Sequence, residues 1–489
     1  MINWDAISDF IIHWYWVPLT LTYVGVIITI LSENRNPSKS LAYILVIIFL
    51  PVAGLIVYYF VGKKPVFRKH VFNRKRLADR QKMDEYYKHL KPQMEERLQL
   101  LENDIGDMAF PFRYLYYQNQ SLISTGNSVM LLNNGEEMFP ALFSSLENAR
   151  SYIHLEYYIF AADDVGNRVA DILINKQKEG VEVRIIVDDV GSNHIKELPE
   201  KFSAAGIQFL KTLPVAFSTL ANSNYRNHNK IVIIDGDVGF IGGINIDERY
   251  WNNGKHHLYW RDTSVCIKGP AVSLLQVQFF LGWFFSGGKD DFGDRNLYFK
   301  TPAEKKGNAI IAIAASGPGS AVPYIMETIL LALSQAKKTI RITTPYFIPT
   351  DELTSALVIA AANGIKVELL LPDKSDSFIV QHASFSYIKP LLQRGVHVYL
   401  YKKGFIHAKT ISIDSILAFV GTVNMDTRSF YLNFEITSII HEAALCKACE
   451  DSFEKDKQSS EAVTLEQWKK RPVLYRGMDS VCRLLAALL

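Results

Sequence analysis

Cysteine is scarce. Four residues in 489, Cys266, Cys446, Cys449 and Cys482, are too few and too scattered to staple a chain of this length. Disulfides therefore do not organise the fold, and a reducing compartment is expected. Cys446 and Cys449 form a C-x-x-C, but no second cysteine or histidine pair completes a tetrahedral zinc site. The surrounding stretch reads as a helix carrying two small thiols one turn apart. An H-E-x-x-H pair, a phosphate-binding P-loop and an aspartate-rich cluster are also missing, so neither a metal nor a cofactor is expected. Charge of one sign is lacking in bulk: 53 Lys and Arg stand against 50 Asp and Glu, a net of +3. That excludes a polyanion-coating protein and provides no basic track for nucleic acid, which is not expected as a partner. With 48% hydrophobic and 21% charged residues, the chain is able to bury the cores of more than one domain.

Long apolar runs are present at one end only. Residues 11–31 and 41–61 are each long enough for the ~20 residues of a bilayer-spanning helix, separated by a polar turn at 32–40. Trp14, Tyr15 and Trp16, and again Tyr58 and Tyr59, stand where amphipathic rings prefer the membrane interface. The first run has no basic segment before it and no small-residue cleavage pattern after it, which argues against a removed signal peptide. A transmembrane helical hairpin at 1–62 is the expectation. Lys63, Lys64, Arg68, Lys69, Arg74, Lys75, Arg76, Arg80 and Lys82 follow, with only Asp79 among them. By the positive-inside rule they place the remainder of the chain on the cytoplasmic side of the cell membrane, and they suit anionic lipid headgroups. The mixed charges of 84–107 complete a helical linker at 63–107.

Beyond the linker the chain repeats itself. His228, Lys230 and Asp235 form H-x-K-x-x-x-x-D, and so do His407, Lys409 and Asp414; an asparagine follows each aspartate by ten positions, at Asn245 and Asn424. Residues 180–187 (GVEVRIIV) match 364–371 (GIKVELLL), and Tyr157-Tyr158-Ile159 matches Tyr346-Phe347-Ile348. One such motif is weak; two with equal spacing and matching flanks are specific. Apolar runs at 183–187, 230–234, 367–371 and 410–413 read as strands, and 168–178 and 353–363 as helices, so the body is α/β. On a strand, residues two apart share a face, which pairs His228 with Lys230 and His407 with Lys409. Asp235 and Asp414, at an odd offset, are expected to fix the strand-end turn.

A lone His-Lys pair on a strand is ordinarily a solvated surface pair. If the halves pack about a local two-fold, however, two His, two Lys and two Asn converge. Such a set suits displacement at a phosphodiester: one neutral imidazole attacks phosphorus, a second protonates the departing alkoxide, and lysines with amides hold the nonbridging oxygens. Asp262 and Glu435, 34 and 28 positions after their motif histidines, are proposed to orient the imidazoles.

These residues resemble the phospholipase D superfamily and, within it, the bacterial cardiolipin synthases. Besides the motifs, Leu50-Pro51-Val52-Ala53-Gly54, Gly243-Ile244-Asn245, Trp260-Arg261-Asp262-Thr263, Asn424-Met425-Asp426-Thr427-Arg428-Ser429 and the apolar terminus from Arg483 carry the likeness. The first unit has Gly-Gly where many relatives have Gly-Ser. The resemblance implies two phospholipase D-like repeats, 108–300 and 301–489, each a β-sheet flanked by helices. It makes His228, Lys230, Asp235, His407, Lys409 and Asp414 the catalytic set, with Asn245, Asn424, Asp262 and Glu435 in support. The implied reaction is reversible phosphatidyl transfer between two phosphatidylglycerol molecules, giving cardiolipin and glycerol, with His228 as nucleophile and His407 as acid and base. A membrane-bound phospholipase D that transfers to water and yields phosphatidic acid would use the same residues, and a nuclease or a catalytically dead lipid-binding scaffold is the more distant alternative. Residues 279–285 (FFLGWFF) read first as a buried core helix, and otherwise as an acyl-chain lining or a segment that dips into the membrane.

Overall fold

The computed structural model describes residues 14, 16–32, 37–58, 91–118, 120–214, 224–288, 298–299 and 305–485. Most of the basic linker, the outer ends of both apolar runs and residues 486–489 lie outside the described residues. The chain divides into a small N-terminal unit and a large one.

In the N-terminal unit, one helix runs Trp16–Ser32, a second Pro37–Phe49 and a third Pro51–Val57. The second apolar run is therefore not one continuous helix from 41 to 61, as its composition suggests. It starts earlier and breaks at Leu50 (φ −128°, ψ 73°), because Pro51 lacks an N–H and its ring excludes the helical conformation of the residue before it. Gly54 tolerates the resulting fold-back, since a Cβ there would stand 2.6 Å from the Val46 carbonyl oxygen. Ile30, Ile47 and Tyr58 form the small core, while Leu21, Ile28, Leu31, Ile48 and Phe49 face outward. No described helix is long and apolar enough to cross a membrane; a 17-residue helix spans only ~26 Å of a ~30 Å hydrocarbon core.

The large unit is built on one 15-stranded sheet with a local symmetry. From its centre outward, the first half runs Ser124–Asn133, Thr263–Lys268, Val238–Gly242, Lys230–Ile234, Tyr152–Tyr157, Glu182–Asp188 and Gln208–Thr212. The second half runs Ala309–Ser316, Glu435–His441, Leu417–Gly421, Thr410–Ile413, Thr339–Thr343, Lys366–Pro372 and His397–Tyr401, with Ser460–Val463 added at the edge. In both halves four antiparallel pairings are followed outward by two parallel ones, and the added Ser460–Val463 pairs antiparallel with His397–Tyr401. The halves join where Ser124–Asn133 pairs antiparallel with Ala309–Ser316. Strands such as Lys230–Ile234 are buried along their whole length, which is why they read as unbroken apolar runs.

Helices cover the faces. Asp163 caps Asp164–Lys178 by accepting from Gly166 N, and Thr350 caps Asp351–Ala362 by accepting from Leu353 N. Helix Val272–Phe285 contributes to the core: Phe279, Phe280 and Trp283 are buried against the first-half sheet, while Leu281, Phe284 and Phe285 are half-buried. Cys446 and Cys449 are buried thiols on helix Ala443–Gln458. The structure also shifts one sequence equivalence. Phe160 bridges Ile246 as Phe347 pairs with Met425, so Phe160 matches Phe347, and the tyrosine-rich segments align two residues away from the match made by residue type.

Candidate active site

Each motif histidine enters its strand from a segment that belongs to both halves. Asn227 bridges Phe434 in parallel, and His228 N donates to Phe434 O at 2.9 Å. In the mirrored place, Gly404–Ile406 pairs in parallel with Tyr259–Arg261, and His407 N donates to Arg261 O at 2.7 Å. The backbone of one half thus sets the position of the catalytic-type residue of the other.

The side chains cross over as well. Nδ1 of His228 is hydrogen-bonded to the Glu435 carboxylate at 2.9 and 3.0 Å, and Nδ1 of His407 to Asp262 Oδ2 at 2.7 Å. The sequence-based expectation assigned each carboxylate to the histidine preceding it in its own half; the structure exchanges the partners. The reason is topological, because Asp262 and Glu435 follow the two segments that pair across the repeat boundary. Both carboxylates are buried and leave each Nε2 as the free nitrogen.

The two carboxylates are supported differently. Asp262 accepts from Thr263 N at 2.7 Å and rests against Gly243, where a Cβ would lie 2.1 Å from its Oδ1. Glu435 receives the Thr422 hydroxyl and Asn433 Nδ2 (3.1 Å). Gly243 and Thr422 occupy equivalent places one residue after the first glycine of each motif's tail, so the shorter acid goes with glycine and the longer one with threonine. Thr422 escaped the sequence reading; the joint difference Gly/Thr and Asp/Glu between the halves was the available signal.

Lys230 Nζ donates to His228 O at 2.9 Å and lies over the Tyr158 ring, 5.3 Å from its centroid. Lys409 Nζ donates to His407 O and stands 2.9 Å from His407 Nδ1. Burial lowers the ammonium pKa of Lys230 to about 7 and of Lys409 to about 8. Burial likewise lowers His228 to about 4, with both lysines adding to a shift that Glu435 opposes. His407 is pushed down by burial, then by Lys409, against the pull of Asp262. Both imidazoles are therefore neutral near pH 7. Each histidine also feels the lysine of the other half, which ties the two motifs into one electrostatic site.

The surroundings are not symmetric. Trp260, Phe405, Tyr250 and Tyr346 ring His407, with centroids 5.6 to 6.3 Å away, whereas Tyr158 packs edge-on to His228 at 4.9 Å. Behind His228, the buried Glu156 accepts from Asn227 Nδ2 (2.7 Å) and Asn229 Nδ2 (3.2 Å), and burial raises its pKa to about 7. The equivalent positions flanking His407 are the buried Ile406 and Ala408. Asn245 has both ends engaged: Oδ1 accepts from Ile159 N and Nδ2 donates to Tyr250 OH at 2.8 Å. One Nδ2 hydrogen thus fixes Tyr250, whose hydroxyl is 3.5 Å from His407 Nδ1, and the amide nitrogen carries a second. Asn424, by contrast, keeps a buried Oδ1 without a hydrogen-bond partner.

Asp235 and Asp414 stand at the far ends of their strands. Asp235 accepts from Arg150, Ser151 and Tyr152 N (2.6 to 2.9 Å), and Asp414 from Lys337, Lys338 and Thr339 N (2.6 to 2.8 Å). Both adopt the left-handed conformation, φ 54° and 55°. Neither reaches the histidines. Among the described residues, no group of three or more His, Cys, Asp or Glu is placed to hold a metal ion; cationic charge at the site comes from the lysines.

Residues 142–278 and 329–457 match the family described as "Cardiolipin synthase, PLD-like domain", and residues 21–63 match "Phospholipase D-nuclease N-terminal". The chain is 36% identical over 477 residues to a cardiolipin synthase of Alkalihalophilus pseudofirmus, covering 97% of this chain and 93% of that one. It is 36% identical over 495 residues to the major cardiolipin synthase ClsA of Bacillus subtilis (strain 168), covering 99% and 100%. Among solved structures, the phosphatidylserine synthase of Haemophilus influenzae Rd KW20 superposes with a TM-score of 0.58 at 15% identity, over 74% of this chain and 95% of that one, a likeness of fold.

Proposed function

Because the chain belongs to the cardiolipin synthase family of phospholipase D-like proteins, we propose that it joins two phosphatidylglycerol molecules into cardiolipin with release of glycerol. It is a phosphatidyltransferase. One observation supports the mechanism: two imidazoles are each held through Nδ1 by a buried carboxylate of the opposite half, and each feels the lysine of the other motif, as two groups serving one site would.

In the first half-reaction, neutral His228 Nε2 attacks phosphorus. The bond from phosphorus to the glycerol oxygen breaks, and that oxygen takes a proton from His407 Nε2. The anionic phosphodiester, entering between Lys230 and Lys409, offsets the lysine field that adds to burial in keeping His407 neutral, so substrate binding favours the protonated ring, with Asp262 stabilising it. In the second half-reaction His407 removes the proton from a terminal hydroxyl of the second lipid, whose oxygen displaces His228 from phosphorus. Atoms and protons return to their starting state. The reaction is reversible, since no step consumes a nucleotide. Transfer wins over hydrolysis where the closed site keeps water from the phosphohistidine.

Membrane attachment is assigned to the N-terminal unit. Its outward Leu, Ile and Phe side chains suit lipid, and the basic residues 63–82 support a multi-pass arrangement with the catalytic body in the cytoplasm. We divide the remainder into a linker at 63–107 and repeats at 108–300 and 301–489.

The test is direct. Purified protein in phosphatidylglycerol vesicles should yield cardiolipin and glycerol in equal amounts, with phosphatidic acid minor; phosphatidic acid as the main product would replace the assignment with hydrolysis. Rapid quench in alkaline detergent, which preserves the acid-labile phosphorus–nitrogen bond, with phosphorus-labelled lipid should place the label on His228, and label on His407 alone would reverse the two roles.

A further inference from the structure

Away from the reaction site, helix Val473–Leu485 packs one narrow face inward. Asp479 is bonded to His382 at 2.7 Å and to Arg471 at 2.8 Å, and Cys482 is buried beside helix Phe378–Leu392. The opposite face is apolar and exposed: Val473 by 74%, Leu474 by 73%, Val481 by 59% and Leu484 by 79%. At ~100° per residue these four fall in a stripe roughly 100° wide. Arg476 and Arg483, seven positions apart, line one edge of it. Phe378, on the neighbouring helix Phe378–Leu392, is exposed as well and packs on the ring of His382.

Beside the stripe lies an open groove of about 450 Å³, with Trp468 and Phe385 in its lining and four cations, Lys389, Lys469, Arg476 and Arg483. Its acid, Asp479, is already engaged by His382 and Arg471. Among the described residues, no carboxylate forms an ion pair with any of the four cations. A cationic groove continuous with an uncovered apolar stripe is the pattern of a helix that lies in a bilayer interface.

We propose that the C-terminal helix and this groove dock on an anionic bilayer, with the stripe in the acyl boundary and the cations around the phosphate of an acidic phospholipid. Free phosphate would satisfy the cations and leave the stripe in water; a bilayer satisfies both. The surface is also wired to the reaction site. Asp376, two residues before Phe378, accepts the Tyr346 hydroxyl at 2.7 and 2.8 Å, and the Tyr346 ring packs 6.3 Å from that of His407. Docking there would hold the mouth of the site at the lipid surface.

The test uses the full chain reconstituted in vesicles, with an environment-sensitive fluorophore on Val481→Cys, or in a second preparation on Leu474→Cys; the four native cysteines are buried. In vesicles containing phosphatidylglycerol the emission should shift to the blue and be quenched by spin-labelled lipid, but not in phosphatidylcholine vesicles. Arg476→Glu with Arg483→Glu should reduce the inserted fraction by about five-fold for each cation lost. A probe that stays in water at both positions overturns the proposal. So does a signal that follows protein concentration instead of lipid composition, the behaviour of a self-association face. Loss of the signal to inorganic phosphate, at an ionic strength where chloride has no effect, would identify a free-anion site instead. None of these readouts needs turnover, so failure here is distinct from failure of the assigned reaction.

Discussion

The contact between Gly243 and Asp262 makes a quantitative prediction. A Cβ at position 243 would stand 2.1 Å from Asp262 Oδ1 and 2.8 Å from its Cγ. Ordinary contact lies near ~3.3 Å, so the carboxylate must retreat by roughly 1 Å. Its bond to His407 Nδ1, now 2.7 Å, would stretch to a length that no longer counts as one. A misplacement of that size at a catalytic group costs about a hundredfold in rate, or ~2.7 kcal/mol. Gly243→Thr should therefore lower kcat by about a hundredfold in a mixed-micelle assay of cardiolipin formation. Overpacking should also lower stability by about 1–3 kcal/mol, which a melting curve measures separately. The second half shows the compensation, since Thr422 donates its hydroxyl to the longer Glu435. Adding Asp262→Glu to Gly243→Thr should then restore most of the lost rate, to within about tenfold of the parent, a coupling of at least ~1.4 kcal/mol in a double-mutant cycle. A double variant no faster than Gly243→Thr alone would refute the reasoning, as would a Gly243→Thr enzyme of parental activity.

Other outcomes follow from the same geometry. His407 must gain a proton that the free enzyme lacks near neutral pH, and Lys230 and Lys409 lose theirs as pH rises through about 7 and about 8, so kcat/KM should fall with rising pH, more steeply from ~pH 7, while an acid limb appears only as pH drops toward about 4, where His228 becomes charged; a kcat/KM still rising at pH 9 would contradict this. Lys230→Arg should move the alkaline limb upward, because a guanidinium keeps its charge. Glu435→Gln should reduce turnover by at least about a hundredfold with an unchanged melting temperature, and should slow formation of the labelled phosphohistidine, which quench-flow resolves. Asp235→Ala deprives three backbone N–H groups of their acceptor and should destabilise the fold by about 2–4 kcal/mol, while each folded molecule keeps activity within several-fold. Denaturant unfolding alongside a rate normalised to folded protein distinguishes the two effects.

Much of the fold was legible because the chain states it twice. The buried strands Glu182–Asp188 and Lys366–Pro372, and the His-Lys pairs ahead of Lys230–Ile234 and Thr410–Ile413, follow from apolar runs and from the two-residue period of a strand. What escaped was relation across the repeat. Sequence order ties Asp262 to His228 and Glu435 to His407, and only the parallel bridges at Phe434 and Arg261 reveal that the partners are exchanged. The two-residue slip at Tyr157 arose because shared aromatic letters outweighed strand register. Asn245 shows a related limit: a hydrogen-bond capacity is visible in sequence, whereas its engagement by Tyr250 and Ile159 is not. In the N-terminal unit, apolar length spoke for continuous spans, and a single proline divided one of them.

The exchange of carboxylates has a consequence for how such an enzyme is made. A chain still being synthesised displays His228 well before Glu435 exists, and its first half holds an acid whose imidazole has yet to be translated. Reactivity toward phosphodiesters therefore waits for the last repeat to fold against the first. A truncated product set loose beside a membrane has no competent nucleophile with which to damage it.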